Sequence, residues 1–283
     1  MRYGVTIFAT DQTWRADEVA VEAEARGFAS IYIPEHTHIP VCRKTPPPTG
    51  EAELAEGYKR TLDPFIALAA AGARTSTIRL GTGISLIGQR EPIVTAKAIA
   101  TLDHLTGGRV DLGIGWGSVP DELVTFGVGS TEAKVRVDRL EETLQVLEGL
   151  WSGEPFDHHG EHFTLTAAQQ RPVPTGHIPV LIGGVGRRTL ALVREHADWW
   201  NLPVHELGRL DELREQAGDA RVSVQSMVAL VPSADERAEV TALAERRFGR
   251  TGMGQNMVIG TAPEVADHMA GLMAVLRMAL DEG

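Results

Sequence analysis

The sequence predicts an α/β protein of the (β/α)8 TIM-barrel class, and three observations carry that expectation. Short apolar runs rich in Val and Ile alternate repeatedly with longer Ala, Leu and charged segments of helical period, the rhythm of βα units on a parallel sheet. The 283 residues suit one large α/β domain or two of about 140 residues each, and no change of composition at mid-chain separates two halves. A single barrel over 1–283 is therefore preferred to an open doubly wound sheet. The 30 glycines and 5% aromatic content favour buried parallel strands under tightly packed helices.

Residues 3–8 (YGVTIF) read as the first strand. A helix follows over 14–26, with Ala16, Val19, Ala20 and Ala23 along one face and Gly27 as its C-cap. The second strand is 30–34 (SIYIP), and a long loop over 36–60 holds the run TPPPTG. Loops of that length inside a domain are usually functional or mobile. Asp63 and Pro64 open the next helix as N-cap and first helical residue, and Ala-rich periodicity carries it to about residue 74. The third strand spans 78–87, the next helix 92–105 and the fourth strand 109–114 (RVDLGI). A long amphipathic helix covers 131–151, where Val135, Leu140, Leu144, Leu147 and Leu150 keep mostly i, i+3, i+4 spacing. Outside this rhythm, a small insertion over 154–170 holds a hairpin that turns near His159 and Gly160. The fifth strand is 179–183 (PVLIG), followed by a helix over 187–196, a sixth strand over 198–202, a seventh over 221–231 and a helix over 234–248. The last stretch, 263–280, begins as a helix. Only residues 273–280 (MAVLRMAL) are then left for an eighth strand, and they suit a helix equally well, so an atypical or incomplete eighth strand is expected.

Charge and composition exclude several classes. Lys plus Arg number 27 against 38 Asp plus Glu, and the resulting −11 repels phosphate backbones and anionic lipid. Neither nucleic acid nor a membrane is an expected partner. Cys42, the one cysteine, cannot form an internal disulfide. No run of about 18 apolar residues is available to span a bilayer, and the N-terminal apolar stretch is too short for a signal-peptide core. The expected location is the cytoplasm.

In a barrel, chemistry lies where strands reach their C-terminal ends. Glu35, His36, Thr37 and His38 follow the second strand, and three readings stay open for the first pair. They could ligate a metal, His36 could be hydrogen-bonded structurally under the loop, or both could face the barrel mouth, where an imidazole moves protons near neutral pH. A metal centre is poorly supplied with further ligands. His177 precedes its strand, His196 sits within a helix, and His158 and His159 lie in the hairpin, so no metal is expected. Trp116, between Gly115 and Gly117, either walls a pocket for a flat ring or packs over the barrel rim. Gly183, Gly184, Gly186, Arg187 and Arg188 bring open backbone, a helix start and two cations together. That set makes an anion site, or else a plain turn with solvated arginines. The glycines miss the G-x-G-x-x-G spacing of a Rossmann fingerprint, no G-x-S-x-G elbow occurs, and Cys42 has no motif around it. Covalent hydrolase chemistry has no support.

As a set, LGTGI (80–84), R-x-P-x-x-x-A-K (90–97), ATLDHLTGGRVDLGIGWG (100–117), PVLIGGVGRR (179–188) and ADWW (197–200) resemble the bacterial luciferase-like family. Within it the chain is most similar to the branch of deazaflavin (coenzyme F420)-dependent oxidoreductases, over roughly residues 3–270. The resemblance implies a (β/α) barrel that binds coenzyme F420, or alternatively FMN, at its C-terminal mouth. It implies Glu35 and His36 against the cofactor ring, with Glu122 near where some relatives place an acid; these three are the candidate catalytic residues. Thr82, Gly83 and Ile84 would lie behind the ring, with a non-proline cis peptide in or near them. Trp116, Gly117 and Ser118 would flank the cofactor, and Gly183, Gly184, Gly186 and Arg187 would hold its phosphate. The implied activity is hydride transfer to or from a small organic substrate, with His36 as acid or base. An FMN-dependent monooxygenase, with a separate reductase supplying reduced flavin, is the alternative enzyme, and a non-enzymatic flavin-binding barrel the alternative of another class. A homodimer is the expected assembly.

Overall fold

The computed structural model describes residues 2–44, 54–127, 132–248 and 256–281, so part of the long loop, 45–53, lies outside the described residues. In chain order the elements are β1 (Gly4–Thr6), α1 (Ala16–Ala25), β2 (Ser30–Ile33), α2 (Pro64–Arg74), β3 (Arg79–Thr82), α3 (Pro92–Thr106), β4 (Val110–Ile114), α4 (Pro120–Thr125), α5 (Ala133–Trp151), β5 (Phe156–His159), β6 (Thr164–Ala168), β7 (Val180–Gly183), α6 (Arg187–His196), β8 (Trp199–Pro203), α7 (Leu210–Ala217), β9 (Arg221–Gln225), β10 (Val228–Leu230), α8 (Arg237–Phe248), β11 (Val258–Gly260) and α9 (Ala262–Asp281). Seven strands form one sheet in the order β1-β2-β3-β4-β7-β8-β9, and every ladder in it is parallel. Helices α1, α2 and α3 pack in succession, then α5, α6 and α7 continue the layer. All five residues of β4 are buried, as expected of a strand covered on both faces. The hairpin β5–β6 is an antiparallel insertion between α5 and β7.

Local chemistry explains the helices that the sequence predicts well. Asp63 caps α2 by accepting from the Ile66 amide at 3.1 Å, and Pro64 occupies its first position. The predicted helix over 187–196 coincides with α6. Two short helices, α4 and α7, have no counterpart in the sequence reading. Yet Leu210, Leu213 and Ala217 of α7 are buried at helical spacing.

Two strands required correction, and the segment that suited strand and helix equally is a helix. The third ends at Thr82 rather than at residue 87: the Gly83–Ile84 peptide is cis, and a 3-10 turn over Ile87–Gln89 carries the chain onward. The seventh is split at Ser226 and Met227, so that β9 pairs with β8 while β10 pairs with β11 in a separate parallel ladder. Residues 273–280 are not a strand at all. They belong to α9, where Leu272 and Leu276, one turn apart, are buried, and where Met, Ala and Leu favour a helix over a strand. The short β11 pairs with β10 in a separate two-stranded sheet. Among the described residues no ladder joins it to β1, so the barrel is incomplete, as the sequence led us to expect.

Glycines set the spacing at the C-terminal ends. A Cβ on Gly113 would stand 2.0 Å from the Thr82 carbonyl oxygen, and one on Gly81 would stand 2.2 Å from the Tyr32 ring. Strands β2, β3 and β4 therefore approach more closely there than side chains would permit. Among the described residues no helix is long and apolar enough to cross a membrane.

Candidate active site

Glu35 follows β2 and is 2% exposed. Its Oε2 accepts from Ser85 Oγ at 2.7 Å and from the Leu86 amide at 2.8 Å, and its Oε1 accepts from Arg90 Nε at 2.7 Å. Arg90 continues to the Asp63 carboxylate and lies over the Phe65 ring. Both oxygens of Glu35 thus meet protein donors. The carboxylate holds Arg90 and the Ser85–Leu86 chain that follows the Gly83–Ile84 peptide.

His36 has a different outlook. Its Nδ1 faces Glu122 Oε1 at 2.7 Å, and Glu122, wholly buried on α4, accepts with its other oxygen from Gln89 Nε2 at 3.1 Å. Because a carboxylate only accepts, Nδ1 is the donor in this contact, and Nε2 is the ring atom that remains for another group. Among the described residues nothing engages that nitrogen. Thr61 fixes the backbone, its hydroxyl donating to the His36 carbonyl at 2.5 Å. Phe8 and Tyr58 cover the ring, with centroids at 6.2 and 4.8 Å. Glu122 is therefore a positioning group, and His36 is the member of the pair with a free atom.

The remaining candidates gather beyond β3. Trp116 is half-buried after β4, with the Arg136 guanidinium 4.3 Å over its ring; Arg136 also donates to the Gly117 carbonyl at 2.8 Å. Arg136 is 7% exposed and has no carboxylate partner among the described residues, and its buried Nε has no acceptor. Burial lowers its pKa, as burial does for any cation without a counter-charge. Gly117 has φ +83° and Ser118 is exposed. At the neighbouring end of β7, Gly184 has φ +117° and its carbonyl accepts from Trp200 Nε1 at 2.8 Å. Gly186 is the N-cap of α6 and supplies no side-chain acceptor to the first amides. The two arginines that follow differ. Arg188 is taken up by Asp138 and, at 3.7 Å, Glu141, whereas exposed Arg187 has no partner among the described residues.

The structure thus brings Glu35, His36, Glu122 and the 82–84 segment together, and pairs β4, which leads into Trp116 to Ser118, with β7, which leads into the turn before Arg187. The strand order keeps β3 and β4 between the ends of β2 and β7. Gln89, Arg136 and Tyr58 were not anticipated. Gln89 and Arg136 stand among ordinary polar neighbours in the sequence, and Tyr58 falls in a loop without periodicity. Among the described residues no three His, Cys, Asp or Glu side chains converge as metal ligands.

Comparison with known proteins bears on this geometry. An uncharacterised protein of Mycobacterium tuberculosis is 42% identical over 204 residues, 71% of each chain. The F420-dependent glucose-6-phosphate dehydrogenase of Nocardia farcinica is 38% identical over 171 residues, 60% of this chain and 47% of its own. Among solved structures, an F420-dependent secondary alcohol dehydrogenase superposes with a TM-score of 0.75 at 20% identity, covering 99% of this chain and 91% of that one. The FMN complex of the oxygenating constituent of 3,6-diketocamphane monooxygenase from Pseudomonas putida gives 0.70 at 20% identity, covering 90% and 78%. At that identity the solved structures speak to the fold alone. The sequence profile of the luciferase-like monooxygenases matches residues 4–270, and the chain belongs to that family.

Proposed function

We propose that this family member is an oxidoreductase that binds coenzyme F420 at the C-terminal ends of its parallel strands and acts on a small organic substrate, with His36 as the group that moves the proton. The observation that carries the proposal is the buried His36–Glu122 pair, 2.7 Å apart, whose outer nitrogen Nε2 is left for a ligand. The deazaflavin, when bound, supplies the hydride or accepts it.

The residues present fit such a group. Its anionic end matches the uncapped start of α6, the open backbone at Gly184 and Gly186, and Arg187, with the charge of Arg136 reaching from α5 over Trp116. Trp116, held by Arg136, offers a ring wall. The 82–84 segment is fixed from behind by Glu35 and by the Thr82 hydroxyl, which donates to the Gly113 carbonyl at 2.6 Å. Glu122 holds the imidazole in one tautomer and would stabilise it once charged.

Two relatives at 38 and 39% identity named as F420-dependent dehydrogenases support F420 over FMN. An FMN monooxygenase served by a separate reductase is the second reading, favoured by the FMN-bound structural neighbour. Titrating the purified protein with each cofactor decides between them. Tighter binding of F420 is expected, tighter FMN binding with oxygen uptake would establish the second reading, and binding of neither below millimolar would end both.

A further inference from the structure

Among the described residues β1 pairs only with β2 and β10 only with β11, so each keeps one unpaired edge. Between them lies a cavity of about 490 Å³, walled by Ile7 and Phe8 after β1, Trp14 before α1, Leu230 on β10, and Leu243 and Phe248 on α8. No lining residue is charged. The one hydroxyl among them, on Thr13, is already used: it donates to the Thr10 carbonyl at 3.1 Å and accepts from the Thr10 amide at 2.9 Å. Trp14, Leu230 and Leu243 are 77%, 60% and 54% exposed, so three large apolar side chains that the fold leaves in water meet at one concavity. Single exposed apolar residues are ordinary, whereas a contiguous apolar concavity within about 300–1,000 Å³ has the size and character of a small-molecule site.

The cavity adjoins the candidate active site through one side chain. Phe8 lines it, and the Phe8 ring centroid also stands 6.2 Å from that of His36 and 5.1 Å from that of Tyr58. Because β1 and β2 are parallel, the segment that leaves β1 through Phe8 to Trp14 lies at the same end of the sheet as His36, which follows β2. We infer that this seam between β1 and β10 takes the hydrocarbon portion of the substrate, an apolar molecule with an aliphatic or aromatic body, and that Phe8 is shared between that body and His36. Without a charge or an available hydroxyl on its walls, the seam gains from apolar burial alone and would leave the hydroxyl groups of a sugar unmet. This rests on the functional reading above for the reaction, but not for the binding of hydrocarbon itself.

The test uses benzene, toluene, ethylbenzene and n-propylbenzene as probes, a series that adds carbon without adding a polar atom. They are titrated into the wild-type protein while NMR follows the indole N–H signal of Trp14 and the ring-proton signals of His36, which Trp14→Phe and His36→Asn identify. Saturable binding that moves both sets of signals and tightens about fourfold per added carbon is expected, the gain from burying one more methylene. Leu230→Asp and Leu243→Glu place a carboxylate on the strand wall and on the helix wall, at positions already more than half exposed. Each should weaken n-propylbenzene binding at least tenfold and leave cofactor affinity unchanged; should one variant fail to fold, the other decides. No saturable binding up to the solubility of the probes, an unmoved Trp14 or His36, or affinity that survives both substitutions would overturn the inference. So would substitutions that change the association state and not the probe affinity, which would make the seam a contact for another protein chain. F420 and FMN are titrated into the same samples. If neither cofactor binds while the probes do, the functional reading fails and the hydrocarbon site stands; if F420 binds and the probes do not, only the hydrocarbon site fails.

Discussion

The two sides of the strand ends are built on opposite plans. Around β2, β3 and α4, the carboxylates of Glu35 and Glu122 are nearly or wholly buried, and each oxygen meets a protein donor. Around the β7–α6 turn, Arg187 is exposed and unpartnered among the described residues, and the helix start has no side-chain cap. The difference separates geometry from affinity. A buried charge pair holds its members in one arrangement before any ligand arrives, and breaking it is costly. Exposed donors contribute little to the fold and keep their hydrogen-bonding capacity for a ligand.

That contrast can be broken by experiment, and the largest effect should come from His36. His36→Ala is expected to lower turnover by about 10²- to 10⁴-fold, the usual contribution of a positioned acid or base, with cofactor affinity changing far less. Parallel losses in kcat and cofactor affinity would show that His36 binds rather than reacts. Next in size, Glu35→Ala should destabilise the protein by about 3 kcal/mol in urea unfolding, because Arg90 and the Ser85–Leu86 segment lose their acceptor. A loss within about 0.5 kcal/mol, the ordinary range of surface substitutions, would make Glu35 as dispensable as an exposed carboxylate. The smallest effect belongs to the other side. Arg187→Ala should leave stability within about 0.5 kcal/mol and weaken cofactor binding about tenfold. Salt should erode that binding contribution, since an exposed charge is screened and the Glu35–Arg90 pair is not; a salt-independent Arg187 effect would contradict its placement.

Helix starts were legible because their signals are local. Asp63 and Pro64 announce α2, and the glycines at 183, 184 and 186 announce the turn into α6. The proximity of the residues singled out after the second and third strands was legible, since His36 meets Glu122 and β2 pairs with β3 up to Thr82. The division of labour among them was not. Glu35 and His36 are adjacent in sequence, yet one faces Ser85, Leu86 and Arg90 and the other faces Glu122. The seventh strand read as continuous because Ser226 and Met227 fit a β pattern, and only pairing with two different neighbours reveals the break. Three residues at β11 are too few for periodicity to register against a long Met- and Leu-rich segment.

What the sequence determined by itself is the alternation of strand and helix and the helix starts with their caps. Those follow from interactions reaching about four residues along the chain, through hydrogen-bonded turns and the faces they create. The tertiary structure alone decided that His36 would be oriented by Glu122, 86 positions away, and Glu35 neutralised by Arg90, 55 positions away. It also left the Arg136 guanidinium buried with no carboxylate partner among the described residues. Burial and charge compensation depend on which distant groups share a volume, and that is set by how the strands stack side by side rather than by any local pattern.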